Sequence, residues 1–321
     1  MTNPHATVKT SGSLGKRNLY RLRSLNKYKF IISMILPAII LLAIFAYIPM
    51  GGNVIAFKEY SIRNGIFGSP WADPGLKYFE RLWRMPAFWN VFRNQVVISL
   101  WKLATGFPAP IIIALLLNEM RHSKLKRILQ TTYTFPHFLS WIVVAGIITG
   151  FLVDQGFVNQ VLLLLGGNKH RILNNGDQFR AMLYVTDLWK SAGWNSILYL
   201  ATISSINPEL YEAAAIDGAN RWQLVRLITW PALVPLAALL LVLSAGNILS
   251  GGFDQILNLY NPTVYDKADI IDTYIYRTAI ARGDNNFSFT TAVGLFKSVV
   301  NIILLLIVNY SVKFMGQEGV I

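Results

Sequence analysis

The side chains able to do chemistry are few and scattered. The four histidines, His5, His122, His137 and His170, fall in four different segments, and cysteine is absent, which excludes thiolate chemistry and leaves no clustered metal site to expect. No GxxxxGK[ST], HExxH, GxSxG or EF-hand pattern occurs, so the sequence offers no phosphate cradle and no nucleophile elbow. What remains is polar groups set inside apolar stretches. Asp187, Ser191, Asn195 and Thr202 recur near the helical period, with Trp194 and Ser205 close to that stripe. Lys102, Lys190 and Lys297 are further charges in apolar surroundings. Charged groups so placed face a bundle interior or a wet cavity. Asp187, Lys190, Ser191, Trp194, Asn195 and Lys297 are therefore candidates for the polar and aromatic wall of such a cavity, able to hydrogen-bond hydroxyl groups. The excess of lysine over acid would suit an anionic ligand. The competing reading is an Asp187–Lys190 ion pair at i, i+3, with interhelical hydrogen bonds to a partner.

The elements that must position these groups follow from composition. Of 321 residues, 54% are hydrophobic and only 14% charged, too few for the polar surface of a soluble domain. A hydrocarbon core of about 30 Å needs about 20 apolar helical residues. Six stretches qualify: 30–49, 93–117, 133–153, 181–206, 232–250 and 290–314. The first is too long for a signal-peptide core and lacks a small-residue cleavage site, so it reads as a retained span. The fourth is the least hydrophobic. The expectation is an all-α membrane protein: a basic N-terminal segment over 1–29, a six-span domain over 30–314, and a short tail over 315–321.

Charge sets the orientation. The net charge is +13, and Lys9, Lys16, Arg17, Arg21, Arg23, Lys27 and Lys29 precede the first acid, Glu59. Arg121, Lys124, Lys126 and Arg127 face Glu119 alone in segment 118–132. The positive-inside rule then puts both termini in the cytoplasm, a better account of the basic residues than nucleic-acid binding. Segments 50–92, 154–180 and 251–289 lie outside. Arg84–Asn90 reads as a short interfacial helix with aromatic anchors, and Gly146 with Gly150 as a close-packing pair.

Between spans four and five, segment 207–231 carries helix punctuation. Asn207 suits an N-cap, Pro208 the first helical position, and Glu209 the positive helix end. Gly218 can take the positive φ that stops the helix, and Asn220 with Gln223 forms a capping box for a second short helix. The result is a helix–turn–helix on the inner membrane surface. Ala213 and Ala214 give it a small face, and Glu212 a carboxylate for a cation. The plain alternative is an amphipathic connecting loop with alanine as filler.

The spacing favours the first reading. Glu212-Ala213-Ala214, three residues, Gly218, nine residues, Ile228-x-x-Pro231 resembles the EAA loop of ABC importer permeases, with Trp230 where many members have leucine. Thr134–Trp141 resembles the PHFxSW signature of the polysaccharide and oligosaccharide permease subgroup of carbohydrate importers, and Trp189–Asn195, Gly252–Leu257 and Asp272–Arg277 also fit that subgroup. Asn94-Gln95 departs from a common Asn-Thr pair. The resemblance runs from about residue 30 to 315.

It implies a type I importer permease whose coupling helix, with Glu212, Ala213, Ala214, Asp217 and Gly218, docks on an ATPase subunit. The implied partners are a second permease, two ATPase subunits that bind ATP and Mg, an extracytoplasmic solute-binding protein, a saccharide and membrane lipid. No cofactor is implied in this chain, and no enzymatic activity. A secondary sugar transporter would need broken midplane helices or related halves. A membrane enzyme on lipid-linked sugars would need organised carboxylates. Neither feature is found.

Overall fold

A computed structural model describes residues 28–281, 286–316 and 319. Of the expected basic segment 1–29 only residues 28 and 29 fall within them, and of the tail 315–321 only 315, 316 and 319. The chain divides into two units, residues 1–55 and 56–321. In the first unit, α1 (Lys29–Leu42) runs through a π-turn over Ala43–Tyr47 into Ile48–Met50.

The described residues of the second unit form helices joined by turns and irregular segments, with one isolated bridge, Lys58 to Trp71. After a single helical turn over Gly65–Gly68, its helices are α2 (Lys77–Arg84), α3 (Pro86–Gly106), α4 (Pro108–Asn118), α5 (Ser123–Thr134), α6 (Trp141–Leu152) and α7 (Phe157–Leu164). There follow α8 (Gly176–Ser204), α9 (Pro208–Ile216), α10 (Arg221–Leu224), α11 (Trp230–Gly246), α12 (Phe253–Leu259), α13 (Tyr265–Ala268), α14 (Ile271–Tyr276) and α15 (Phe287–Phe314). Five stretches among the described residues are long and apolar enough to cross a membrane: 29–57, 86–118, 141–164, 221–246 and 287–314.

The remaining expected span is α8. Its 29 residues cover about 43 Å at 1.5 Å per residue, ample for a crossing. Arg180, Asp187, Lys190, Ser191 and Asn195 make it too polar to register by hydropathy. The reason is its position. α8 packs on α3, α4, α5, α11 and α13, so most of its surface meets protein. Near its start, Phe179, Met182 and Leu183 join Ile98, Ile256 and Ile270 in one core; near its end, Tyr199, Leu200 and Ile203 join Ala114, Leu117 and Leu233 in another.

Boundaries differ from expectation where proline intervenes. The second span starts earlier and bends at Phe107, because Pro108 cannot donate to the helix before it. The third begins at Trp141, not 133: Phe135–Phe138 is a 3₁₀ turn holding Pro136, and Ser140 restarts the helix by accepting from Val143 N–H. The fifth is continuous from Arg221, so the second short helix is the first turn of that span. Val225–Thr229 widens into a π-turn, with Trp230 N–H reaching Val225 O. The wider turn moves carbonyls away from the Pro231 ring, and the same device precedes Pro49. Arg84–Asn90 is not a helix of its own. It spans the α2–α3 junction, where Trp89 Nε1 donates to Trp83 O at 2.9 Å.

α11 and α15 run antiparallel. Leu249 N–H donates to Asn301 Oδ1 at 3.3 Å, while Ala238 and Val242 meet Val312 further along. The α9–α10 hairpin therefore lies at the end opposite the start of α15, where Tyr60 N–H donates to Ser288 Oγ at 3.0 Å. At that far end Arg277 pairs with buried Asp269 and lies over the Tyr265 ring. Burial pushes the Tyr260 phenol well up, and Tyr265 and Asp269 push it the same way.

Candidate functional site

Two features carry the candidate residues: the hairpin and a cavity beside α8. In the hairpin the punctuation read from sequence is realised. Asn207 Oδ1 accepts from Glu209 N–H at 3.1 Å, and Pro208 occupies the first turn. The helix stops where Gly218 takes φ +81°. There Gly218 N–H donates to Ala215 O at 3.1 Å and Ala219 N–H to Ala214 O at 2.9 Å, the Schellman arrangement. Asn220 and Gln223 bond reciprocally at 2.9 and 2.7 Å. A helix capped at both ends moves as one piece.

Tyr211 and Ala214 form the inward face of α9, while Glu212, Ala213, Ile216 and Asp217 face outward and are exposed. Ile216 is 87% exposed. Tyr211 OH shares a 2.9 Å hydrogen bond with Thr229 Oγ1, and Thr229 is buried inside the π-turn of the fifth span. Arg221 makes a 3.5 Å exposed ion pair with Glu119 at the end of α4, a contact of small energetic weight.

No atom lies within 4 Å of where a Gly218 side chain would begin, so the backbone alone restricts that position. Gly218→Asn is expected to fold almost as the parent does, whereas Gly218→Val loses about 1–2 kcal/mol of helix-end stability through left-handed strain. Thermal unfolding of the purified permease checks this, and equal loss in both variants would remove the backbone argument.

The cavity has a volume of about 380 Å³. Asp187, Ser191 and Asn195 line it from α8, Ser99 and Lys102 from α3, and Ser244 and Asn247 from the end of α11. Lys102 Nζ donates to Asp187 Oδ1 at 3.1 Å and also to Gln255 Oε1. The Asp187–Lys190 ion pair of the competing reading is absent among the described residues, because α3 brings Lys102 to the carboxylate from across the bundle. Lys190 turns away from Asp187: its Nζ donates to the His137 carbonyl at 2.8 Å and lies over the Trp141 ring. Trp194 stacks flat on His137, centroids 4.4 Å apart. Lys297 lies elsewhere again, bonded to both oxygens of Asp272 at 2.6 and 2.8 Å.

The cavity thus gathers three of the six residues proposed from sequence and leaves Lys190, Trp194 and Lys297 outside its lining. Gln255, Ser99, Ser244 and Asn247 were not read from sequence. A polar pair at the end of an apolar span could have signalled Ser244 and Asn247; nothing local marks Gln255, whose role depends on a helix far away in sequence. Gly146 and Gly150 have no atom within 4 Å of a notional Cβ, so they pack closely against no other element among the described residues.

The sequence pattern described as "Binding-protein-dependent transport system inner membrane component" matches residues 106–317. The polygalacturonan/rhamnogalacturonan transport system permease protein YteP of Bacillus subtilis (strain 168) is 41% identical over 293 residues, covering 91% of this chain and 90% of that protein. Protein LplB of the same organism is 39% identical over 315 residues, 98% of this chain and 96% of that one. Among solved structures, a chain of a bacterial ABC transporter involved in the import of the acidic polysaccharide alginate superposes with a TM-score of 0.85 at 37% identity. It covers 93% of this chain and is itself covered completely. A chain of the bacterial alginate ABC transporter in complex with alginate pentasaccharide-bound periplasmic protein gives 0.84 at 38%, covering 93% of this chain and 99% of that one.

Proposed function

The chain belongs to the family of binding-protein-dependent transport system inner membrane components, and from that premise we propose that it moves an oligo- or polysaccharide inward through the α8 cavity when α9 is pushed by an ATPase subunit. It is a multi-pass permease subunit of an ABC importer, and ATP hydrolysis belongs to separate subunits. In this reading those subunits bind the ATP and Mg, and both termini and the hairpin face the cytoplasm, as the basic segments 1–29 and 118–132 favour. A related permease stands beside this chain, and a solute-binding protein delivers the saccharide to the end bearing α2, α13 and α14.

The observation that carries the reading is continuity. α8 enters the hairpin after only Ser205, Ile206 and Asn207, and α10 leaves it directly into α11. These two helices carry Asp187, Ser191, Asn195, Ser244 and Asn247 on the cavity wall. Outward-facing Glu212, Ala213, Asp217 and Gly218 form the docking surface, and a displacement of α9 moves both walls as rigid helices, a hinge-type transition. Lys190, Trp194 and Lys297 hold α8 and α15 in place around the path.

The test is transport by the reconstituted four-subunit complex with its binding protein. Uptake of a labelled oligosaccharide should require ATP and stop when the ATPase subunits are omitted. Uptake by this chain without them, driven by an ion gradient, would overturn the proposal.

A further inference from the structure

Lys102 and Asp187 are the only charged side chains lining the cavity among the described residues. Their exposure is unequal: 11% for the Lys102 side chain against 30% for Asp187. On its inner side Lys102 meets Gln255, which is buried and itself fixed, its Nε2 donating to Leu183 O at 2.9 Å and to Thr186 Oγ1 at 2.8 Å. The ammonium therefore has one immovable amide partner and one carboxylate partner that opens onto the cavity.

A lone ammonium in a partly desolvated wall would be costly when empty and would hold a passing anion tightly. A pair avoids both. If an incoming carboxylate takes the place of Asp187, one charge-assisted hydrogen bond is exchanged for another of the same kind, and neither state strands the cation. Binding is then selective for the anion without being tight, as a conduction path requires. The remaining polar lining, Ser99, Ser191, Asn195, Ser244 and Asn247, is neutral and suits hydroxyl groups.

Resting on the reading of this cavity as the saccharide path, we propose that Lys102 recognises the carboxylate of a uronic-acid unit and that Asp187 is its resident stand-in, displaced as the sugar enters. Asp187 thereby sets how strongly the path prefers acidic over neutral saccharides.

The test uses the complete complex with its binding protein in lipid nanodiscs. ATPase stimulation is measured with a galacturonate tetramer and with the same tetramer fully methyl-esterified, which keeps the skeleton and removes the charge. Comparing each variant's acid-to-ester ratio with the parent's cancels the binding protein's own preference. Lys102→Gln leaves Asp187 unpaired and facing the sugar, and should lower the ratio about tenfold. Asp187→Asn should raise it by a similar order, and Lys102→Arg should keep it near the parent value. An unchanged ratio in both Lys102→Gln and Asp187→Asn, with both sugars losing stimulation alike, would show a purely structural pair and overturn the proposal. If neither sugar stimulates the parent complex, the saccharide reading of the cavity falls, and this inference with it.

Discussion

Gly193→Val should leave almost no correctly packed permease in the membrane. A side chain beginning at Gly193 would place its Cβ 2.0 Å from Tyr133 O and 2.9 Å from Thr134 N. Both are backbone atoms at the end of α5, so no rotamer change relieves the clash, and the two helices must separate. Overpacking a core costs about 1–3 kcal/mol when side chains can yield. Here they cannot, and a loss of about 3 kcal/mol or more is expected, enough to unfold a marginal domain. Gly193→Ala should already show much of it. The contrast lies in Gly146→Ala and Gly150→Ala, which meet no atom within 4 Å and, by replacing glycine inside a helix, should hold or raise the stability of the isolated chain by up to about 1 kcal/mol. Thermal unfolding of the detergent-purified chain reads all four variants. Comparable stability of the Gly193 and Gly146 variants would remove the claimed contact between α8 and α5.

That contrast also marks what the sequence could and could not convey. A GxxxG spacing is visible in one dimension, yet Gly146 and Gly150 meet no neighbouring element among the described residues. Gly193 sits in no such pattern, and its neighbour is 60 residues away in sequence, so its importance exists only once α5 and α8 meet. The hairpin was legible almost residue by residue because capping is local: Asn207, Pro208, Gly218, Asn220 and Gln223 act on backbone groups within a few positions. The polar α8 was legible as a long helix because length and periodicity survive substitution of a few charges. What Asp187 bonds to was not. Lys190, three residues on, looked like its partner, yet the bundle supplied Lys102 from α3 and Gln255 from α12. Local spacing limits which contacts are possible, and packing selects among them.

Glu212→Lys should abolish saccharide uptake, by about 100-fold or more, while the permease still reaches the membrane in normal amount. Glu212 is exposed and bonds to no described side chain, so reversing its charge disturbs no internal contact, and surface changes of this kind alter stability by only about 0.5 kcal/mol. If α9 is gripped through this carboxylate by a cation on the ATPase, the loss is that of an interfacial charge pair turned into a repulsion, about 2–5 kcal/mol. Glu209→Lys is the control. Glu209 accepts from Asn207 Nδ2 at 3.1 Å beside the helix N-terminus, so its reversal should cost about 0.3–1 kcal/mol of helix stability and leave docking in place. Tyr211→Phe probes the step after docking. It keeps the outward face intact and deletes the hydroxyl that reaches Thr229 in the fifth span, so the ATPase should still bind while hydrolysis loses its dependence on loaded binding protein. Co-purification of the ATPase subunits separates the two failures: lost with Glu212→Lys, retained with Tyr211→Phe. Normal uptake and normal co-purification in Glu212→Lys would mean that force enters this permease somewhere other than α9.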